Sequence, residues 1–305
     1  MYFETVKAAL DACLPGICRH YGIGQQDALA YVREHLRTMS NAWFSGEQPN
    51  IVYSDPLCRF AYLFCHVAVN ANLCEYAIRC SRDLAEFIAA KMRDTQELLV
   101  CAFGGGPGTE LLALCKHLQK TRPNGPLARL SFSLLDRVPE WSESWNALEA
   151  EINGTLRAAG IPVAQWPFSI SKTFVPFDMT QVGNFANMPH LFQQDLYVMN
   201  YVLSEILGDH AGFQQVITTA VRSSPSGSKF LIIDRDQDSV RDDAVHLLRA
   251  AGLNVSDVYQ TSRNMDGDEQ SSVLEAYSRQ IQRQPRVQWG SDGRRGAFWI
   301  VGTKP

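Results

Sequence analysis

One stretch constrains this chain more than any other. Residues 98–103, Leu-Leu-Val-Cys-Ala-Phe, are apolar without interruption, and Gly104, Gly105, Gly106, Pro107 and Gly108 follow directly. From Thr109 onward, leucines and alanines recur at helical spacing. A short apolar run with no alternation is typical of a strand buried on both faces. Clustered glycines turn the chain sharply and let a ligand approach the backbone. The first amides of the following helix are unpaired donors. The segment is therefore predicted to be strand, ligand-binding turn and helix. A purely structural turn also uses glycine, but the setting between strand and helix favours a binding loop. No Gly-Lys-Ser/Thr follows, so the loop is not a phosphate-binding P-loop.

The rest of the chain divides around this segment. Residues 1–94 read as helices at 4–13, 26–43, 56–79 and 81–93, with no strand pattern, and are expected to form a helical N-terminal cap. Asp55 and Pro56 suit the cap and first turn of the third helix. Phe60, Leu63, Phe64 and Val67 recur along it at helical spacing. Arg59, Tyr62 and His66 share another face of that helix, expected to be solvated, although it would cover an acceptor pocket if turned inward. Residues 95–305 alternate strands (98–103, 130–135, 169–175, 196–201, 230–234, 255–261, 297–302) with helices (109–120, 140–159, 211–223, 239–251). That order predicts an α/β fold: a Rossmann-like, doubly wound, mostly parallel seven-stranded sheet with helices on both faces. A short helix at 273–282, with no full crossover before 297–302, suggests a final antiparallel strand. Trp141 and Trp145, four apart, are expected to pack as a helix ridge in the core, with a cofactor-edge or partner contact as the alternative.

Composition narrows the class. The 305 residues are 46% hydrophobic and 20% charged, with a net charge of -4. That is ordinary for a globular protein and gives no overall positive field for nucleic acid or anionic membrane. The N-terminus lacks a signal-peptide pattern, and no apolar run is read as long enough to span a bilayer. The eight cysteines lie between Cys13 and Cys115 without a CxxC pair, so reduced, mostly buried thiols and a cytoplasmic location are expected. The spacings of Cys58, Cys65, Cys74 and Cys80 fit core helix positions better than a zinc knuckle, and no metal centre is expected. The sequons at Asn153 and Asn254 are read as incidental.

The second strand ends at Asp136, where an acid can accept both hydroxyls of a ribose. A dinucleotide fingerprint requires G-x-G-x-x-G, whereas Gly104, Gly106 and Gly108 give G-x-G-x-G. This pattern resembles the first motif of the class I S-adenosylmethionine-dependent methyltransferases, a likeness that covers residues 97–302 as architecture. The resemblance implies S-adenosyl-L-methionine as cofactor, with the loop around its methionine end and ribose. It implies cofactor contacts at Phe103, Gly104, Gly105, Gly106, Gly108, Glu110, Asp136 and Arg137. Asp178 would meet the adenine amino group and Met179 would pack on the ring; turn chemistry and core packing are the alternatives for these two. Asn200, another cofactor contact, and Tyr201 end the fourth strand, where the family holds the reacting methyl group. Tyr201 and Glu205 are the candidate catalytic residues with Asn200. Ser204 and Glu205 serve either an acceptor or a local cap, and His210 is read as a solvated histidine. The chain departs from the family at Ala102, where many members carry an acid; Glu110 is the candidate substitute.

The acceptor is left open among small molecules, proteins and RNA. Met199-Asn200-Tyr201-Val202 is not the Asp/Asn-Pro-Pro-Tyr/Phe tetrapeptide of amino-methylating nucleic-acid enzymes, and no cysteine follows Cys115 to serve a cytosine C5 enzyme. Arg294 and Arg295 suit either an anionic acceptor or a surface turn. The other readings are an NAD(P)-dependent oxidoreductase, which the missing glycine and the lack of a Tyr-x-x-x-Lys pair oppose, and an inactive cofactor-binding interaction protein.

Overall fold

The computed structural model describes residues 1–45, 51–121, 128–158, 168–181, 183, 188, 191, 193–206, 210–262, 265, 267, 269–289 and 296–305. Arg294 and Arg295, and the side chains of Asn153 and His210, lie outside the described residues.

The chain begins with helices α1 (Tyr2–Tyr21), α2 (Gln25–Ser45), α3 (Pro56–Tyr62), α4 (Ala68–Cys80) and α5 (Arg82–Asp94), with a π-helical turn (Leu63–Val67) between α3 and α4. Helix α1 runs well past the expected 4–13, through Pro15, because Leu10, Leu14 and Ile17 keep one apolar face buried. It stops at Gly22, in the left-handed region at φ 63°. Helix α3 starts as expected: Asp55 accepts from the Leu57 amide at 2.8 Å. The continuous run Pro56–Cys80 is long and apolar enough to cross a membrane by length and composition, contrary to the sequence reading. Within the protein that apolarity serves the core, since 94% of its most apolar window is buried.

The sheet follows. It comprises β1 (Glu97–Phe103), β2 (Ala128–Asp136), β3 (Phe168–Pro176), β4 (Leu196–Asn200), β5 (Lys229–Arg235), β6 (Asn254–Val255), β7 (Tyr259–Thr261) and β8 (Ala297–Thr303). Helices α6 (Thr109–Thr121), α7 (Trp141–Ala158), α8 (His210–Ser223), α9 (Asp238–Ala250) and α10 (Glu275–Ile281) connect or flank the strands. The strand order is β3-β2-β1-β4-β5-β8-β6, with β7 also on β8. Pairings among β1 to β5 are parallel, and β8 runs antiparallel to β5, β6 and β7. This is the doubly wound arrangement expected, with its reversed last strand inserted beside β5.

The count is eight strands among the described residues rather than seven. The expected strand 255–261 divides because the register against β8 slips by one residue between the pair Val255–Gly302 and the pair Tyr259–Trp299. Such a slip is a β-bulge. Ser256 sits in it, its amide donating to Val301 O and its hydroxyl accepting from Val301 N.

Both faces of the sheet are covered. Leu98, Val100, Ala102, Leu130, Leu134, Val198 and Ile233 join one buried cluster with α6 and with helices α1 to α5, the helical cap or leader. Cys101, Phe103, Tyr197, Met199, Phe230 and Ile232 join a second cluster with residues of α8 and α9. Successive residues thus alternate between two buried faces, which explains why β1 and β5 read as unbroken apolar runs. The leader packs directly on one sheet face. Its expected solvated face is in fact buried: Arg59 is 3% exposed and His66 6%. Arg59 is held there by the Tyr53 and Ser54 carbonyls and by Glu143, and the His66 ring lies against Trp43 and Tyr62 at 4.6 and 5.2 Å.

Candidate functional site

In an open α/β sheet ligands bind beyond the strand carboxyl ends, where the order reverses. Here that point lies between β1 and β4. A cleft of about 1090 Å³, its open mouth included, occupies the position. Its walls include Gly104, Gly105, Gly106, Glu110, Asp136, Arg137, Asp178, Met179, Asn200, Tyr201 and Glu205, so the structure brings these sequence-predicted residues together.

Two predicted residues are placed differently. The Phe103 side chain points to the opposite sheet face, stacked on Tyr197 at 5.9 Å. A strand alternates its side chains, so the last residue of β1 cannot share the loop's side of the sheet with Ala102. Gly108 lies behind the cleft wall. A Cβ there would stand 2.2 Å from the Trp145 ring, and its φ is 85°. Its glycine is required by helix packing and backbone conformation.

The loop grips the tip of β2. The Gly106 amide donates to Asp136 Oδ2 at 3.0 Å, with Gly106 at φ 44°, and the Val138 amide donates to Oδ1 at 2.9 Å. The Arg137 amide also bonds to this carboxylate, and the remaining lone-pair capacity is open to a ligand hydroxyl. Burial pushes Asp136 up to about 6, against the pull of these amides. Asp178 accepts from the Thr180 amide and hydroxyl at 3.0 and 2.7 Å. Its turn-forming role and its place in the cleft wall therefore coexist. The Met179 methyl would lie 3.4 Å from a Cβ at Gly104, which fixes it beside the loop.

Glu110 lies in the first turn of α6, 3% exposed. Burial raises its pKa to about 8 although the Asn200 side chain hydrogen-bonds to it. Glu110 Oε2 and Asn200 Oδ1 have no partner. Buried acceptors of this kind call for a donor or a cation. Tyr201 sits just past β4 with φ 60°, a left-handed conformation that is strained for a bulky side chain. Its amide is held by Ile233 O at 2.8 Å. Glu205 closes the following turn, its amide on Val202 O, and burial in the cleft raises it to about 7. Ser204 stays behind the turn, buried, its amide donating to Asp234 Oδ2 at 3.0 Å. Asp234 is fully buried at the end of β5, and burial raises its pKa. It anchors the Asn200–Glu205 turn, a role that the sequence reading missed.

Three further lining residues stand outside the sequence-predicted site, two of them in the helical cap. Tyr53, Tyr62 and Trp141 line the cleft. The leader thereby supplies part of the site, and Trp141 belongs to the cleft wall whereas Trp145 packs in the core beneath Gly108. Helical spacing could group Tyr62 with Arg59 but could not tell which way their face turned. Tyr53 carries no local signal at all. The eight cysteines are free thiols, five of them buried.

No protein-family model matches this chain, and no curated protein sequence matches it. Similar solved structures include an arsenic(III) S-adenosylmethionine methyltransferase from Chlamydomonas reinhardtii, 16% identical over 68% of this chain and 63% of that one, with a TM-score of 0.37. This chain thus spans less than two thirds of that enzyme's length. An O-methyltransferase family protein from Burkholderia thailandensis is 16% identical over 89% of this chain and 70% of its own, with a TM-score of 0.37. The CurJ carbon methyltransferase is 12% identical over 95% and 69%, with a TM-score of 0.43. All three are described as methyltransferases, and they differ in what they methylate. Likeness at this level carries no argument about chemistry, which rests on the cleft itself.

Proposed function

We propose that this chain is an S-adenosyl-L-methionine-dependent methyltransferase of the class I, Rossmann-like type. The observation that carries this reading is the Glu110 carboxylate, buried in the first turn of α6 and facing the cleft with an unpartnered oxygen. A dinucleotide places its pyrophosphate at this helix start, where Glu110 would oppose it if ionised and give it no counter-charge if protonated. A ligand with an ammonium on its amino-acid end and a sulfonium meets the opposite situation: Glu110 and Asn200 offer acceptors to the ammonium.

Asp136 would hold the ribose hydroxyls, with the Gly106 amide fixing the carboxylate from behind. Asp178 and Met179 would flank the adenine. The bound donor supplies an electrophilic methyl group with its own leaving thioether. The chain's task is then to exclude water and to align an acceptor. Tyr201 and Glu205, on the turn anchored by Asp234, would serve that task, and Glu205, raised to about 7, can accept a proton near neutral pH.

Calorimetric titration with S-adenosylhomocysteine and with NADH tests the reading. Uptake of the nucleoside thioether alone is expected, and uptake of NADH instead would overturn it. Radiolabelled methyl transfer into fractionated extract, with nuclease and protease controls, then identifies the acceptor class.

A further inference from the structure

Resting on the methyl-transfer reading, we infer that the acceptor is an organic amine, received as its ammonium form between an aromatic wall and the Glu205 carboxylate. The wall is Tyr53, Tyr62 and Trp141, with ring centroids 5.3 Å (Tyr53–Trp141), 5.4 Å (Tyr62–Trp141) and 5.8 Å (Tyr53–Tyr62) apart. Their planes meet at 42°, 67° and 85°, so the rings turn both faces and edges to their surroundings. Aromatic faces attract cations, most strongly in desolvated sites. The charge of Glu205 bears on both phenols, and those of Glu110 and Tyr201 bear on Tyr62. Tyr62 is therefore where the wall, the acids and the strained turn converge.

Charge decides between acceptor classes. The described lining residues include the acids Glu110, Asp136, Asp178 and Glu205, whereas Arg137 is the one lysine or arginine among them and stands exposed at the mouth. The donor's ammonium would be met by Glu110 and its ribose by Asp136, which leaves Glu205 as the acid acting on the aromatic wall. A carboxylate, phosphate or thiolate acceptor would meet like charge at Glu205, with Arg137 at the mouth as the one lysine or arginine among the described lining residues. A neutral hydroxyl would form no ion pair with Glu205, on which the more distant Arg235 and Arg137 are the cations that act. An ammonium pairs with Glu205 and packs on the rings.

The chemistry closes on the same groups. Glu205 accepts one proton from the ammonium, which frees the nitrogen lone pair. With the donor bound, that pair would form the new N–C bond while the methyl–sulfur bond breaks, its electron pair remaining with the thioether. No oxidant or further reactant is required, and the product is the N-methylated ammonium.

The test is calorimetry on the full chain saturated with S-adenosylhomocysteine. The probes are benzyltrimethylammonium, which has no lone pair and cannot react, neutral benzyl alcohol and anionic phenylacetate. The ammonium should bind at least tenfold more tightly than either. Tyr62→Leu and Glu205→Gln should each remove most of that preference, whereas Tyr62→Phe, which keeps the ring, should retain it. Circular dichroism and S-adenosylhomocysteine affinity, read on the same variants, report folding and the cofactor half of the cleft. Equal binding of the three probes, or a preference that survives both Tyr62→Leu and Glu205→Gln, overturns the assignment and leaves the cofactor reading standing. Failure of S-adenosylhomocysteine to bind the unaltered chain overturns both.

Discussion

The two halves of the cleft are built on different principles. The floor is backbone: a glycine loop after β1, a carboxylate at the tip of β2 and a turn beyond β4, all set by the sheet. The wall is a convergence of side chains, with Tyr53 and Tyr62 from the leader and Trp141 from the start of α7, 79 residues after Tyr62 in the chain. A floor of this kind leaves local marks in sequence, because each part must follow its strand at a short distance. A wall leaves none, because only the packed fold brings its parts together. The floor should therefore fail by steric or single-bond changes, and the wall by loss of the contacts that orient the leader.

The largest expected effect is in the floor. Gly108→Ala places a methyl group 2.2 Å from a buried tryptophan ring at φ 85°. Strain and overpacking together should cost about 3–5 kcal/mol, read as a drop in the urea midpoint. A loss under about 1 kcal/mol would show that α6 and α7 can separate without penalty, and that the floor is less rigid than its contacts indicate. Next, Asp136→Ala removes the carboxylate shared by the Gly106 and Val138 amides. S-adenosylhomocysteine affinity should fall about 100-fold, equivalent to about 2.7 kcal/mol. Unchanged affinity would move the sugar site elsewhere.

The wall should respond to a smaller and more distant change. The Arg59 guanidinium donates to the Tyr53 and Ser54 carbonyls at 3.1 and 2.8 Å and pairs with Glu143 at 2.5 Å. It therefore ties the turn carrying Tyr53 to the helix carrying Trp141. Arg59→Met keeps much of the apolar stem but leaves the carbonyls unpaired, and should cost about 2 kcal/mol. Ammonium binding should weaken while S-adenosylhomocysteine binding changes little. An equal loss of both ligands would show that wall and floor are one unit, and the comparison would collapse.

The same contrast explains what the sequence could reveal. Strand and helix order were legible because apolar runs and amphipathic periods are local. Glycine spacing and the acids at strand ends located the floor for the same reason. The bulge at Ser256 was not legible, since a one-residue register slip has no local signature in an edge ribbon of alternating polarity. The orientation of the Arg59–Tyr62–His66 face was misread because arginine and histidine are usually solvated. Here Arg59 finds three oxygen partners, and burial, with Arg286, Arg283 and Arg235 nearby, holds His66 well below its ordinary pKa and so uncharged. Phe103 was assigned to the loop by adjacency alone, and strand alternation turns it away.

The smallest effect per step belongs to Glu110, where the two halves of the cleft meet. Its folded pKa is raised to about 8 from 4.5, because burial disfavours the charged form more than the Asn200 contact favours it. Below pH 4.5 the carboxyl is protonated whether the chain is folded or not, and its contribution to stability is fully present. As pH climbs, the unfolded chain releases this proton while the folded chain retains it, so stability declines across the window from 4.5 to about 8. One group can impose at most about 1.4 kcal/mol per pH unit. Glu205 and Asp136, raised to about 7 and about 6, add to the lower part of the window. The clean comparison is thus urea unfolding between pH 7 and 8, where Glu110→Gln should flatten the decline. Parallel slopes in both proteins would mean that Glu110 is already ionised in the ligand-free chain, and the cleft would lose its uncompensated demand for a cation. Ligand binding carries the converse sign: an ammonium beside Glu110 favours the carboxylate, so binding near pH 7 should release protons. Calorimetry in two buffers of different ionisation enthalpy should therefore give different apparent heats for the unaltered chain and more nearly equal heats for Glu110→Gln.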